Sequence, residues 1–209
     1  MQILPGILEK DWDSIKTKIE LAKTFTNTLH IDIIDGKFAN NTTFLDPEPF
    51  IQYSNELFLE LHMMVENPIQ YIEPFAKAGF KRFIGHVEKM PDQEEFVKVA
   101  KQYGEVGLAV DGDSNLDQLK IDLNKLDCVL IMTINAGFSG QEFDPVKLEK
   151  VQTLKQMNKN LVIEIDGGIN DQTIRLAKEA GANRFVSTSF LFNSENPASA
   201  FQALKDLTM

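Results

Sequence analysis

Short runs of apolar, β-branched residues alternate along the chain with stretches whose apolar positions recur every three or four residues. The runs predict strands over 2–8, 28–34, 58–64, 82–86, 106–110, 128–133, 161–166 and 184–188. The intervening pattern predicts helices over 13–25, 68–78, 92–103, 116–123, 145–157, 172–180 and 197–207, and a short one over 49–54. In the first helix Ile15, Ile19, Leu21 and Ala22 fall on one side. Eight strand–helix units with short connections predict an α/β chain folded as a single (β/α)8 TIM barrel over residues 1–209. A doubly wound open sheet is the alternative, because periodicity by itself does not show closure.

Local punctuation agrees with this division. Asn67-Pro68, Asp144-Pro145 and Asn196-Pro197 each set a capping side chain before a proline suited to the first helical turn. Gly79, Gly104 and Gly181 follow helical runs where a left-handed residue closes a helix. The segment 77–83 echoes 179–185, Ala78 matching Ala180 at an offset of 102 residues (180 minus 78), as two half-barrels would produce.

Polar residues interrupt the apolar runs at particular places. His30 and Asp32 stand two apart in the second strand, so they share a face, and burying such a pair without partners is costly. The chain has three histidines, His30, His62 and His86, each at the C-terminal end of a predicted strand, and Asp166 ends the seventh. In a βα barrel that end carries the active site. His30, Asp32, His62 and Asp166 therefore form a candidate site for one divalent metal, with Zn, Fe, Mn and Co all suited to imidazole and carboxylate. A hydrogen-bonded polar layer without metal satisfies the same residues. Asp32 and Asp166, from strands two and seven, face each other across the mouth and suit two-base proton transfer on a flat enediolate. His86, with Glu88 two residues on, is read as a mouth-lining or satisfied core histidine.

Glycines and hydroxyls cluster after the last strands. Gly137, Phe138, Ser139 and Gly140 follow strand six, Gly167 and Gly168 strand seven, and Thr188 and Ser189 strand eight. Such loops, with a short extra helix (here Phe190 to Phe192), bind phosphate through backbone N–H groups. Met63, Met64 and Met132, at strand ends, are read as core or as an apolar wall, and Trp12 as packing.

Composition narrows the partners. A net charge of −10 argues against nucleic acid or an anionic membrane, so an anionic ligand has to be held by local amides. The single cysteine, Cys128, lies in an apolar run and suits a reducing compartment. The first residues lack a charged, then apolar, leader pattern, and no apolar run reaches membrane-spanning length, so a cytoplasmic protein is expected.

The segments 30–36, 41–44, 62–68, 132–141 and 165–168 resemble the ribulose-phosphate 3-epimerases, a likeness running from Ile3 to Phe192. The resemblance implies a metal-dependent ketose-phosphate 3-epimerase of the pentose phosphate pathway, with the metal on His30, Asp32, His62 and Asp166. It implies Asp32 and Asp166 as the acid–base pair inverting C3 of D-ribulose 5-phosphate to give D-xylulose 5-phosphate. Substrate contacts would come from Gly6, His62, Met64, Gly137, Phe138, Ser139, Gly140, Gly167, Gly168, Thr188 and Ser189, and homo-oligomers are common in the family. This chain departs from the family pattern where it has Gly6 for Ser, Ala136 for Pro, Ser139 for Gly, Thr188 for Gly and Ile34 for Met. Asp111-Gly112-Asp113-Ser114 also stands in place of an Asn-Pro-x-Thr turn. Those changes leave a hexulose 6-phosphate such as D-allulose 6-phosphate as an alternative substrate. A non-catalytic sugar-phosphate binder and a metal-free lyase or synthase are the other readings.

Overall fold

In the computed structural model, which describes residues 1–209, each apolar run forms a strand. The strands are β1 (Gln2–Ile7), β2 (Thr28–Ile34), β3 (Phe58–Met64), β4 (Phe80–His86), β5 (Glu105–Val110), β6 (Cys128–Met132), β7 (Ile163–Asp166) and β8 (Arg184–Ser187). They pair in parallel in chain order, and β8 pairs with β1, so the barrel closes and the open-sheet alternative falls away. Around it lie α1 (Trp12–Ala22), α2 (Ile69–Lys77), α3 (Gln93–Ala100), α4 (Leu148–Met157), α5 (Thr173–Ala180), α6 (Ser189–Phe192) and α7 (Pro197–Thr208).

The helix starts follow side-chain chemistry. Asp11, Asp92 and Asn196 accept from the N–H groups of Ser14, Glu95 and Ser199 at 2.9, 3.0 and 3.0 Å, satisfying donors the helix leaves open. Asp144 caps the turn that Pro145 begins, whereas α2 starts at Pro68 with no side-chain cap from Asn67. Gly79 and Gly181 are left-handed, with φ of 98° and 113°, and close α2 and α5. Gly104 is not left-handed; its missing Cβ leaves room for the carbonyl of Lys81.

One expected helix is absent. Residues 116–123 form two 3₁₀ turns, Leu116–Gln118 and Leu123–Lys125. The Lys120 N–H is taken by Gln93 Oε1 at 2.8 Å, and Asp122 accepts from the Asn124 N–H at 3.0 Å. Those side chains offer the backbone partners that a helix would otherwise supply. The short helix expected over 49–54 is a 3₁₀ helix, Glu48–Tyr53, which ends before Ser54.

Outward-facing strand residues pack with the helices into one apolar layer. The interior is divided. On the β4–β6 side Ile84, Ala109, Cys128, Leu130 and Met132 form an apolar wedge. From β2, β3, β7 and β8 come His30, Asp32, Glu60, His62, Glu164 and Arg184, with Arg82 of β4 beneath the wedge. Buried charges survive by pairing. Arg82 binds Glu60 through Nη1 and Glu105 through Nε at 2.7 Å. Arg184 stands 3.9 Å from Glu164 and 3.7 Å from Glu105. The internal echo noted in the sequence thus places Arg82 and Arg184 at equivalent points of two half-barrels, each beside a glutamate of the preceding strand.

Candidate active site

Strand register brings the polar residues together at the C-terminal mouth. Asp32 is aligned with His62 and His30 with Glu60 across β2–β3, while Asp166 is aligned with Met132 across β6–β7. The loop after β2 folds back over the strand end. The Thr43 hydroxyl accepts from the Ile34 N–H at 2.9 Å and donates to the Asp32 carbonyl at 3.1 Å. After β7, Gly167 and Gly168 take φ of 118° and 66°, conformations that suit glycine. The Thr133 hydroxyl donates to the Gly167 carbonyl at 2.6 Å, which fixes that turn against β6.

Asp32 Oδ1 lies 3.2 Å from His30 Nε2 and 2.8 Å from His62 Nδ1, and Asp166 Oδ2 lies 3.6 Å from that same Nδ1. The four residues each offer one ligand atom, all within 4.8 Å of one another. Ligands held about 2.0–2.2 Å from one ion stand about 3–3.5 Å apart, so two imidazole nitrogens and two carboxylate oxygens so placed fit a divalent cation.

The two aspartates differ electrostatically. Burial raises the pKa of Asp32, but His30 and His62 more than offset this and hold it at about 2. Burial and then the neighbouring Asp32 charge push Asp166 up to about 6. For His30, burial disfavours the charge, yet Asp32, Glu164 and Glu60 together raise it well above the usual histidine range. Burial leads in lowering His62.

Ser139, Gly140, Gly167, Gly168, Thr188 and Ser189 line one small cavity together with Asp166. Gly137 and Phe138 lie outside that lining: the Gly137 carbonyl accepts from Asn41 Nδ2 at 2.8 Å, and Phe138 is exposed. Gly6 is aligned with His30 and abuts Thr188. Met64 is buried at the end of β3, aligned with Ile34. The expected extra helix after β8 is α6.

Beneath the mouth lies a second polar layer that the motifs do not pick out. Glu60 Oε1 accepts from His30 Nδ1 at 2.5 Å, and Glu164 Oε1 stands 3.3 Å from that nitrogen. Both carboxylate oxygens of Glu164 and Nη1 of Arg184 are buried without a hydrogen-bond partner. Burial, then the Glu60 charge, pushes Glu164 up to about 7. Strand alternation carries the signal: Glu60 and Glu164 sit two residues before His62 and Asp166 and share their faces. His86 also belongs to the site, its Nε2 2.9 Å from His62 Nε2.

Residues 2–192 match the model of the "Ribulose-phosphate 3 epimerase family". The chain is 33% identical to the cytoplasmic isoform of ribulose-phosphate 3-epimerase from rice, over 98% of this chain and 92% of that protein. It is 35% identical to ribulose-phosphate 3-epimerase from Chlamydia pneumoniae (93% and 89% covered) and 32% to that of Bacillus subtilis (98% and 98%). Among solved structures it resembles KGPDC from Streptococcus mutans in complex with D-R5P, at a TM-score of 0.74 and 15% identity (99% and 96% covered). It also resembles 3-keto-L-gulonate-6-phosphate decarboxylase from Vibrio cholerae, at 0.70 and 12% (100% and 98%). At those identities the likeness is one of fold.

Proposed function

The chain belongs to the ribulose-phosphate 3-epimerase family, isomerases acting on carbohydrate phosphates, and from that premise we propose that it interconverts D-ribulose 5-phosphate and D-xylulose 5-phosphate. The observation that carries the reading is geometric: carboxylates from two separate strands, Asp32 of β2 and Asp166 of β7, meet at one site with His30 and His62, their ligand atoms within 4.8 Å of one another. Asp32, ionised at neutral pH, accepts the C3 proton from one face of the substrate. Asp166, whose pKa lies nearer neutrality, delivers a proton to the other face. In the reverse direction the roles exchange.

His30 and His62, with the two aspartates, would hold one divalent cation. Bound there, the cation would supply Lewis-acid stabilisation of the negative charge that develops on the substrate, and the residue types suit Zn, Fe, Mn or Co. With a net charge of −10, the overall field of the chain does not attract the phosphate. The reading seats it on backbone N–H groups of Ser139-Gly140, Gly167-Gly168 and Thr188-Ser189, with the hydroxyls of Ser139 and Thr188 as added donors. Gly6 makes room for the Thr188 side chain, and Met64 closes the apolar side. No helix is long and apolar enough to cross a membrane, and one relative is a cytoplasmic isoform; the reading places the reaction in the cytoplasm.

A screen of C3 epimerisation over pentulose 5-phosphates and hexulose 6-phosphates in D2O, with and without chelator, tests the proposal. Turnover of the pentulose with deuterium entering at C3, abolished by chelator, is the expected result. Ligand binding with no exchange of the C3 hydrogen would reduce the protein to a sugar-phosphate binder.

A further inference from the structure

We propose that His86 and Glu88 are positioning residues that lock the His62 ring in the tautomer whose Nδ1 is free to bind a cation. The inference rests on the reading that His62 is a metal ligand. His62 points Nδ1 at Asp32 and Asp166, and its other nitrogen, Nε2, lies 2.9 Å from Nε2 of His86. His86 in turn places Nδ1 3.0 Å from Glu88 Oε2. All three histidine rings of the chain are fully buried, and Phe38 covers His86 with ring centroids 4.6 Å apart.

A neutral imidazole carries one N–H, so two facing Nε2 atoms form a hydrogen bond only if one of them donates. The end of the chain decides which. Glu88 is a carboxylate that only accepts: burial raises its pKa, but His86 and the Asp111 N–H more than offset this and hold it at about 2. It therefore demands the proton on His86 Nδ1, which leaves His86 Nε2 as an acceptor. That acceptor demands the proton on His62 Nε2 and strips it from His62 Nδ1. With a cation between His62 Nδ1 and Asp32, every proton then points toward Glu88 and Nδ1 keeps its lone pair; without one, the ionised Asp32, 2.8 Å away, competes for that proton. Metal-binding histidines are commonly oriented by a carboxylate directly; here a second histidine is interposed.

Glu88 cannot turn away from this task. Its other oxygen, Oε1, accepts from the Asp111 N–H at 2.8 Å, tying the end of β4 to the residue after β5. Glutamine at position 88 makes the point sharply. With its carbonyl oxygen kept on the Asp111 N–H, its amide nitrogen donates to His86 Nδ1, which reverses the relay and puts a proton on His62 Nδ1. With the amide turned the other way, two N–H groups collide at Asp111.

Two measurements on the full chain test the assignment. Chelator competition for Zn²⁺ should give Glu88→Gln an affinity about 10–100-fold below wild type, while the metal-free forms melt together. Side-chain ¹⁵N NMR of the zinc-loaded wild type, with three histidines to assign, should show His62 protonated on Nε2 and His86 on Nδ1. That spectrum needs no variant, so it decides the matter even if Glu88→Gln folds poorly. Wild-type zinc affinity in Glu88→Gln, or a His86 ring protonated on Nε2, overturns the relay and leaves the metal site standing. A wild-type chain that binds no zinc overturns the metal reading and the relay with it.

Discussion

A Cβ built on Gly6 would run into the Thr188 hydroxyl, and into Val186 Cγ1 at 2.8 Å. The two positions therefore cannot both carry side chains without a shift, although they lie on different strands, β1 and the end of β8. The resemblance to the epimerases puts Ser and Gly where this chain has Gly6 and Thr188, so bulk and hydroxyl have changed sides of one contact.

From this contact follows a reciprocal-mutation test. Gly6→Ser alone overpacks the junction, at a cost of about 1–3 kcal/mol, or roughly 3–10 °C in melting temperature. Adding Thr188→Gly should recover part of that loss, the contact with Val186 remaining. Thermal melts of the two singles and the double read the coupling directly. Additive losses would show that the two side chains do not share the space.

The aspartate pair predicts a division between activity and stability. Asp32→Asn and Asp166→Asn should each reduce turnover about 10²–10⁴-fold, measured by a coupled epimerase assay. In the metal-free protein they act differently. Asp166 has its folded pKa raised to about 6, so the folded state holds the proton longer than the unfolded chain does. Its contribution is present below about pH 4 and is lost as pH rises through about 6. Asp166→Asn removes that loss, and at pH 7.5 the metal-free variant should melt above wild type by an amount worth about 1–3 kcal/mol. Equal melting temperatures at pH 7.5 would mean that Asp166 meets no electrostatic cost in the fold.

What was legible in the residues divides along a physical line. The alternation of strands and helices follows from periodicity, closure from the β1–β8 pairing that periodicity does not show, and the metal-type cluster from polar residues placed at strand ends, where apolar ones would otherwise stand. Glu60 and Glu164 are as polar as His62 and Asp166, but their role depends on register between strands. Nothing within one strand says that Glu60 is aligned with His30. His86 shows the same limit, since its partner, His62, lies 24 residues away on a neighbouring strand. The missing helix over 116–123 failed partly for the same reason, because Gln93, 27 residues away in α3, supplies one backbone partner and the nearby Asp122 another.

Cation binding should release protons. His30 faces carboxylates with both ring nitrogens and is raised well above the usual histidine range, so it is an imidazolium when no metal is present. Ligation through Nε2 displaces that proton. Protons therefore compete with the metal, and affinity should fall as pH falls, by about tenfold per unit for one displaced proton. Calorimetry in buffers of different ionisation enthalpy measures the release. A buffer-independent heat at pH 7 would place the cation away from His30.

Glu60 and Glu164 flank one histidine nitrogen from opposite sides of the barrel, β3 and β7, yet their removal should have opposite effects. Glu60 is held ionised: burial works against it, but His30 and Arg82 bring its pKa well below the carboxylate range. Glu60→Gln leaves Arg82 and His30 short of a buried counter-charge, at a cost of about 3–5 kcal/mol. Glu164 has no hydrogen-bond donor on either oxygen, and its pKa is raised to about 7. Its folded pKa exceeds the ordinary 4.5, so its contribution to stability is present below that value and is lost as pH rises through about 7. Glu164→Gln is neutral at every pH, and its carbonyl can accept from the orphaned Arg184 Nη1. Melts of the metal-free proteins should therefore show Glu164→Gln matching wild type near pH 5 and exceeding it near pH 8, with Glu60→Gln below wild type at both. If Glu164→Gln melts lower than wild type at pH 8, the buried charge on Glu164 is needed to balance the arginines and the two half-barrels are electrostatically alike.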